Sequence, residues 1–345
     1  MNNDILIKPL SNASLADAVS VWNRGFQGYF IDMTLSIDDY LTRLHNESIS
    51  PELSFIAYLD QTPAGFLLNG VRINAGKKLA WNGGTGVAPE YRGQGLGKLL
   101  VDAALKLYQQ QHIEVATLEA LSDNKSAIKL YQSAGYQIDD RLVFLEHDGD
   151  LTNGLPQTRT GYAISAAAPA EVGRLDFYQP SVPWQAQWQS LMRNNGSALI
   201  VVDDAGGPVG YALYRKRLDE EGRLLGIALH QCAALPGHKE AESIAVAALR
   251  HAFAPVDKPC RRLTHNLSKT NELVCGILKN AGFHTYVEQV HMTNCVPHPG
   301  LPKGEGINCV PHPDPLSQRE REFRERAYGK YNHQITQGPD RHSFG

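Results

Sequence analysis

Residues 86–100 read Gly86-Val-Ala-Pro-Glu-Tyr-Arg92-Gly93-Gln94-Gly95-Leu96-Gly97-Lys98-Leu-Leu. The apolar residues 79–87 predict a strand, and residues 95–111 carry leucines and alanines at the spacing of a helix. Three glycines at alternate positions lie where the chain passes from the first segment to the second. Glycine permits a tight turn and lets backbone amides approach an anion closely. Because the first amides of a helix are unpaired and carry the positive end of its dipole, this turn is a candidate site for a phosphate or pyrophosphate. Arg92 and Lys98 add positive charge at the same place.

Other interpretations of this glycine-rich turn are possible. It could simply join a strand to a helix without binding anything. A Walker loop is excluded because Leu99, rather than Ser or Thr, follows Lys98. A Rossmann loop is excluded because the glycines are spaced G-x-G-x-G and follow the fourth predicted strand instead of the first strand of a βαβ unit.

A second motif follows about 25 residues later. A predicted strand, Thr117-Leu-Glu-Ala-Leu, precedes Asn124-x-x-Ala-x-x-Leu-Tyr131-x-x-x-Gly135-Tyr136. Together with R-G-x-G-x-G, this motif resembles the GNAT superfamily of acyl-CoA-dependent N-acyltransferases over residues 4–148. The resemblance implies an α/β fold of the mixed α+β kind, with a splayed sheet that holds acetyl-CoA between its fourth and fifth strands.

The resemblance also implies roles for individual residues. Tyr131 would give a proton to the departing CoA thiolate, and Asn124 would hydrogen-bond the cofactor or fix the following helix. Glu119 would be the general base, although it could instead be an exposed strand residue or a group that orients the substrate. Backbone groups near Val87 would pair with the pantetheine arm. The pyrophosphate would lie against the turn formed by Arg92, Gly93, Gln94, Gly95, Leu96, Gly97 and Lys98.

Aromatic and polar residues near these motifs are candidates for the acceptor pocket. Three of them lie just before or within the glycine-rich region: Trp81, Asn82 and Thr85. The aromatic residues Trp22, Phe26, Tyr29 and Phe30 lie in a region that covers the acceptor in this family, but their helical spacing favours a core position.

Residues 161–293 repeat the element order of residues 1–150. Asn271-ELVCGI-Leu278-KNA-Gly282-Phe283 matches the second motif at the same offsets, but Leu278 replaces the tyrosine. The glycine-rich turn is replaced by Leu235-Pro-Gly-His-Lys-Glu-Ala-Glu242, whose carboxylates oppose pyrophosphate binding. We therefore predict a catalytic domain at 1–150, a degenerate GNAT-like domain at 161–293 and a low-complexity, disordered tail at 294–345.

The tail contains a duplicated segment, Asn294-CVPHP and Asn308-CVPHP. Cys295, His298, Cys309 and His312 therefore form a C-x2-H array that could bind zinc. We favour a duplicated segment without metal, because proline flanks each histidine and no surrounding core is apparent. No metal is expected elsewhere.

Composition excludes several broad classes of function. The 345 residues are 42% hydrophobic and 20% charged with a net charge of −3, so the chain is globular and has no basic field for nucleic acid. No apolar run is long enough to span a bilayer, and the N-terminus lacks the pattern of a secretory signal. The five sparse cysteines do not resemble a disulfide scaffold, and we expect a cytoplasmic location.

Two functions are consistent with the sequence. The first is an N-acetyltransferase that transfers an acetyl group from acetyl-CoA to a primary amine of a small molecule or a protein N-terminus. The second is a noncatalytic regulator that binds acyl-CoA. Tyr131 and Glu119 favour the enzyme. No nucleic-acid or membrane partner is expected, and the sequence does not indicate an oligomeric state.

Overall fold

The computed structural model describes residues 5–157 and 161–296, which contain thirteen strands and eight α-helices. The strands are β1 Ile5–Pro9, β2 Phe55–Leu59, β3 Thr62–Asn74, β4 Lys77–Val87, β5 Val115–Leu121, β6 Gln137–Gly149, β7 Ala163–Ala167, β8 Ser197–Val202, β9 Pro208–Leu218, β10 Leu224–Ala234, β11 Cys260–Thr264, β12 Leu267–Ser268 and β13 His284–Cys295. The helices are α1 Leu15–Gly25, α2 Ile37–Asn46, α3 Leu96–Gln110, α4 Lys125–Ser133, α5 Pro169–Val172, α6 Trp188–Arg193, α7 Ala241–Ala252 and α8 Glu272–Asn280.

Helix starts follow local capping rules. Ser14 accepts a hydrogen bond from the Asp17 amide at the start of α1, and Ser36 accepts one from the Asp39 amide at the start of α2. Such caps satisfy amides that have no partner within the helix. Both helices therefore begin directly after a serine cap.

The strands form a mixed sheet in the order β1-β2-β3-β4-β5-β13-β6-β11-β10-β9-β8-β7, with β12 paired to β6. Strands β4 and β5 are parallel, but their pairing extends only from Leu79–Val115 to Asn82–Leu118. Strand β4 continues along β3 as far as Val87, after a register shift at Gly83. Beyond Asn82, β4 and β5 therefore diverge and leave a cleft between them.

The two halves of the chain exchange their last strands. Strand β13, from the second half, pairs antiparallel with β5, and β6, from the first half, pairs with β11. Val290 and Met292 of β13 are consequently buried in the core under α3. Val143 and Leu145 of β6 are buried in the core of the second half. Full burial of such side chains stabilises the folded state by roughly 1.5–3 kcal/mol each.

This exchange was not part of the sequence prediction. Strand β6 is long because it extends across the junction between the two halves to pair with β11 and β13. The boundaries 1–150 and 161–293 remain a prediction, and the sheet is continuous across them.

The matching motifs in the two halves adopt the same local structure. Asn124 caps α4 through the Ala127 amide at 3.2 Å, and Asn271 caps α8 through the Val274 amide at 3.3 Å. Gly135 and Gly282, which follow these helices, have φ angles of 92° and 89°. The predicted tandem α/β architecture is therefore confirmed.

Most of the predicted tail, residues 297–345, lies outside the described residues. Cys295 ends β13, whereas His298, Cys309 and His312 of the C-x2-H array are not described. Within 5–157 and 161–296, no cluster of three or more metal-binding side chains occurs. No helix in the same ranges is both long and apolar enough to cross a membrane.

Candidate active site

The glycine-rich turn presents unpaired backbone amides at the start of α3. Gly93 and Gly95 have φ angles of 75° and 85°, which glycine adopts without strain. Among the described residues, the amides of 93–98 donate to no backbone carbonyl. A Cβ at Gly93 or Gly95 would meet no atom within 4 Å, so the space above the turn is open. These amides and the positive end of the α3 dipole fit the pyrophosphate of acyl-CoA.

The side chain of Arg92 connects the turn to β4 and to the end of α1. Its guanidinium donates to the carbonyls of Val87 at 2.9 Å, Gly25 at 3.1 Å and Gln27 at 2.8 Å. It therefore fixes the turn against β4 and the end of α1. The guanidinium keeps its positive charge in these bonds, and its contribution to a phosphate site stays a prediction.

The other side chains of the turn are arranged around the helix start. Lys98 is exposed and pairs with Asp102 at 2.6 Å, one turn further along α3. Gln94 donates to the Glu90 carbonyl at 2.9 Å, and Leu96 is buried in the core. An exposed ion pair contributes little to stability, so the Lys98 ammonium remains free to move towards an anion.

Tyr131 lies on α4 and faces the cleft between β4 and β5. Its side chain is buried and meets Tyr136 edge-on, with ring centroids 5.9 Å apart. Burial raises the pKa of Tyr131, while hydrogen bonding to Thr85 and Asn82 opposes this shift. The phenol is therefore neutral near pH 7 and can donate a proton.

The cap of α4 links Tyr131 to the region after α1. Asn124 accepts from the Ala127 amide and from the Ser126 hydroxyl, which supports its predicted role in fixing the helix. Burial raises the pKa of Tyr29, and a hydrogen bond with Asn124 opposes the shift. Tyr29 thus joins the polar group around Tyr131, whereas Phe30 is 60% exposed.

The side chain of Glu119 is almost inaccessible to solvent, and both of its carboxylate oxygens have hydrogen-bonding partners. Oε2 accepts from Trp81 Nε1 at 2.7 Å, and Oε1 lies 2.9 Å from Nδ1 of His291. The side chains of Glu119 and His291 are only 7% and 9% exposed, so an exposed strand position is excluded. Burial alone would lower the pKa of His291, but Glu119 and the nearby Asp139 raise it overall. The pair can therefore hold a proton next to the cleft.

A stack of two tryptophans lies behind Glu119. Trp81 of the first half and Trp184 of the second half are nearly parallel, with centroids 5.5 Å apart. Trp184 also donates to the Glu47 carbonyl at 2.8 Å and packs under the Arg72 guanidinium. Trp22 and Phe26, by contrast, pack with Phe66 in the core, as their spacing predicted.

Two residues of this site, His291 and Trp184, were missed by the sequence analysis. Both lie in the second half of the chain and reach the first through the exchanged strand and through the segment before α6. Their positions depend on which residue of β13 lies opposite Glu119. No local pattern in the sequence specifies that register.

Comparisons with known proteins agree with this architecture. The family model described as "Acetyltransferase (GNAT) family" matches residues 16–136. A search of curated proteins found no significant match.

Three solved structures share the fold across most of the chain. A tandem GNAT protein from the clavulanic acid biosynthesis pathway, solved without acetyl-CoA, aligns over 85% of this chain and 98% of its own, with 13% identity and a TM-score of 0.56. A GCN5-related N-acetyltransferase from Anabaena variabilis aligns over 85% and 73%, with 17% identity and a TM-score of 0.56. One from Sphaerobacter thermophilus aligns over 86% and 97%, with 16% identity and a TM-score of 0.56. Residues 16–136 therefore match the GNAT acetyltransferase family, and the chain shares the fold of a tandem GNAT protein across most of its length.

Proposed function

We propose that this protein is an N-acetyltransferase that transfers an acetyl group from acetyl-CoA to a primary amine of a small molecule or a protein N-terminus. The observation that carries the proposal is the position of Tyr131. Its buried phenol faces the β4–β5 cleft beside Thr85, which lies on β4. The open amides at the start of α3 follow the end of this strand in the chain.

The residues of the turn bind and orient the cofactor. The amides of 93–98 hold the pyrophosphate, Lys98 approaches it from the exposed side, and the unpaired edge of β4 near Val87 lies along the pantetheine arm. When bound, acetyl-CoA supplies an activated acetyl thioester. The first half therefore contains the whole proposed cofactor site.

Transfer by direct attack needs one group that accepts a proton and one that donates a proton. Glu119, paired with His291, takes the proton that the attacking ammonium must lose, directly or through water. The amine nitrogen then forms a bond with the acetyl carbon as the carbon–sulfur bond breaks. Tyr131 gives its proton to the departing sulfur, and the second proton that the nitrogen loses as the amide forms restores the Tyr131 phenol. General acid–base groups of this kind each contribute roughly 10²–10⁴-fold to rate.

A covalent acyl-enzyme is not part of this proposal. The first cysteine in the chain is Cys232, and its thiol is buried in the core of the second half. Burial raises the pKa of Cys232 to about 12, so the thiolate needed for nucleophilic attack is scarce at neutral pH. The acceptor and acetyl-CoA are therefore bound at the same time.

The test combines binding with turnover. Calorimetry with acetyl-CoA should give a one-site isotherm, and a thiol-release assay over small amines and peptides should then show amine-dependent CoA release. Heat-denatured protein is the control for thiol release. Desulfo-CoA, which has no thioester, is the control for binding. Absence of binding would refute the cofactor site, and binding without release across the panel would indicate the acyl-CoA-binding regulator instead.

A further inference from the structure

A cavity of about 410 Å³ separates α2 of the first half from β9, β10 and β11 of the second. This volume is in the range of small-molecule sites, roughly 300–1,000 Å³. The proposed cofactor site does not include any of its lining residues. The cavity therefore needs an explanation of its own.

The cavity lies at the counterpart of the acetyl-transfer cleft in the second half. Strands β10 and β11 are parallel as far as Leu229–Thr264, just as β4 and β5 are parallel as far as Asn82–Leu118. The residues that follow this last pair are His230 and His265. His230 and His265 occupy the positions that Gly83 and Glu119 hold in the first half. The ring centroids of the two histidines lie 4.9 Å apart.

Several buried polar atoms at this cavity lack a hydrogen-bonding partner. His230 is 7% exposed, and within the described residues neither of its ring nitrogens has a hydrogen bond of ordinary geometry, although the Gln185 backbone lies nearby and acts on its pKa. In the same part of the chain, such a hydrogen bond is also absent for Nδ1 of His265, Nε of Arg43 and Oε2 of Glu47. Leaving one such group unsatisfied costs about 1–3 kcal/mol, so this cluster is suited to a polar ligand.

The charges around the cavity favour an anion. Burial and the positive charges of Arg215 and Arg43 lower the pKa of His265 to about 4. The His265 ring is therefore neutral near pH 7, and the positive charge beside it comes from the two guanidiniums. Arg215 donates to the neutral amide oxygen of Asn194 at 2.6 Å. Burial raises the pKa of Glu47, which weakens the negative charge that faces Arg43.

We propose that this cavity binds the carboxylate or phosphate group of a small molecule. Arg215 and Arg43 are the charged donors, and His230 and His265 are neutral hydrogen-bonding groups. Arg43 also donates to the Gly83 carbonyl at 2.9 Å, where β4 begins to diverge from β5. The anion is thus bound next to the acetyl-transfer cleft, as part of the acceptor amine or as a separate molecule. The first of these sources rests on the proposed function, whereas the anion site itself does not.

The first arm of the test measures binding with inorganic phosphate and succinate as probes. Titration calorimetry and thermal shift are recorded for the wild type, Arg215→Met and the matched control Arg223→Met. Arg223 is exposed and pairs with Asp219 in the turn between β9 and β10. We expect binding in the millimolar range or tighter, weakened at least about tenfold by Arg215→Met and unchanged by Arg223→Met. Arg215→Lys keeps the charge and should retain part of the affinity.

The second arm distinguishes the two sources. Matched amines are compared, 4-aminobutyrate with butylamine and phosphoethanolamine with ethanolamine. If the anion belongs to the acceptor, the anionic member has the lower KM, and Arg215→Met removes that preference without changing the KM for acetyl-CoA. If it is a separate molecule, phosphate or succinate binds without competing with the amine.

Two negative results are distinguishable. No response of the wild type to either probe at millimolar concentration, or equal responses in the wild type and Arg215→Met, would overturn the anion site and would indicate that water fills the cavity. If acetyl-CoA binds but no amine is acetylated, the proposed function fails, and the probe titration still decides whether the anion site exists.

Discussion

Glu119 and His291 are 172 residues apart in the chain, yet Oε1 of one lies 2.9 Å from Nδ1 of the other. They lie opposite each other on adjacent antiparallel strands, β5 and β13. The proposed proton acceptor therefore depends on a strand from the second half. This arrangement gives that half a direct structural role in the site, although its own glycine-rich turn and tyrosine are replaced.

Truncation tests this dependence. The fragment 1–157 lacks β13, so it exposes the edge of β5 and loses the buried contacts of Val290 and Met292. An unpaired, apolar strand edge promotes aggregation. We expect this fragment to be insoluble or unfolded by circular dichroism, and co-expression with 161–296 to restore soluble, active protein.

The matched control for this experiment is the fragment 1–296. It contains β13 and every other described strand and helix, so it should be soluble, folded by circular dichroism and active. The fragment 1–293, which follows the predicted domain boundary, should be less stable, because it lacks the Asn294 bond to the Ala134 carbonyl and the buried Val296 side chain. A soluble, active 1–157 would contradict the composite site.

Replacement of Tyr131 by Phe removes the proposed proton donor and leaves the ring packing in place. We expect kcat to fall by roughly 10²–10⁴-fold, with little change in the affinity for acetyl-CoA. Steady-state kinetics and calorimetry measure the two quantities separately. Tyr136→Phe is the control, because Tyr136 is buried beside Tyr131 but lies outside the proposed mechanism. Equal kcat in Tyr131→Phe and wild type would remove Tyr131 from the mechanism.

The sequence predicted local features better than long-range pairing. Capping residues determine the start of α1 and of the two Asn-capped helices, and a glycine precedes the start of α3. Helical spacing after Asn124 gives the position of Tyr131 on α4. The exchange of β6 and β13 could not be predicted, because either strand has a hydrophobic pattern that suits either half. The same limit hid His291, which is identified only once its register with Glu119 is known.

Gly95→Ala tests the anion-binding turn. At φ 85° an alanine is strained by roughly 1–2 kcal/mol, and its methyl group would extend into the open space above the amides. We expect the Kd for acetyl-CoA to rise by about tenfold or more. Gly76→Ala is a matched control, since Gly76 has φ 76°, equally open surroundings and a position in the distant β3–β4 turn. If both variants bind acetyl-CoA as tightly as the wild type, the pyrophosphate does not lie against this turn.

The two histidines of the inter-half cavity, His230 and His265, predict a loss of stability in acid. Burial and the charges of Arg215 and Arg43 lower the pKa of His265 from 6.5 to about 4, and burial together with His265 and Arg215 lowers the pKa of His230 well below its usual value. Below pH 6.5 these histidines are therefore protonated in the unfolded chain while they stay neutral in the folded chain. His265 alone should reduce the free energy of unfolding by about 3 kcal/mol between pH 6.5 and pH 4, and its contribution is fully present above pH 6.5.

This loss is measured by urea unfolding across that pH range. His265→Gln should flatten the dependence on pH, whereas His251→Gln, an exposed position on α7, should leave the slope unchanged. A saturating anion bound between Arg215 and Arg43 should also reduce the slope, because a bound negative charge raises the pKa of His265. An identical slope in the wild type and His265→Gln would show that this ring is protonated as readily in the folded protein as in the unfolded chain.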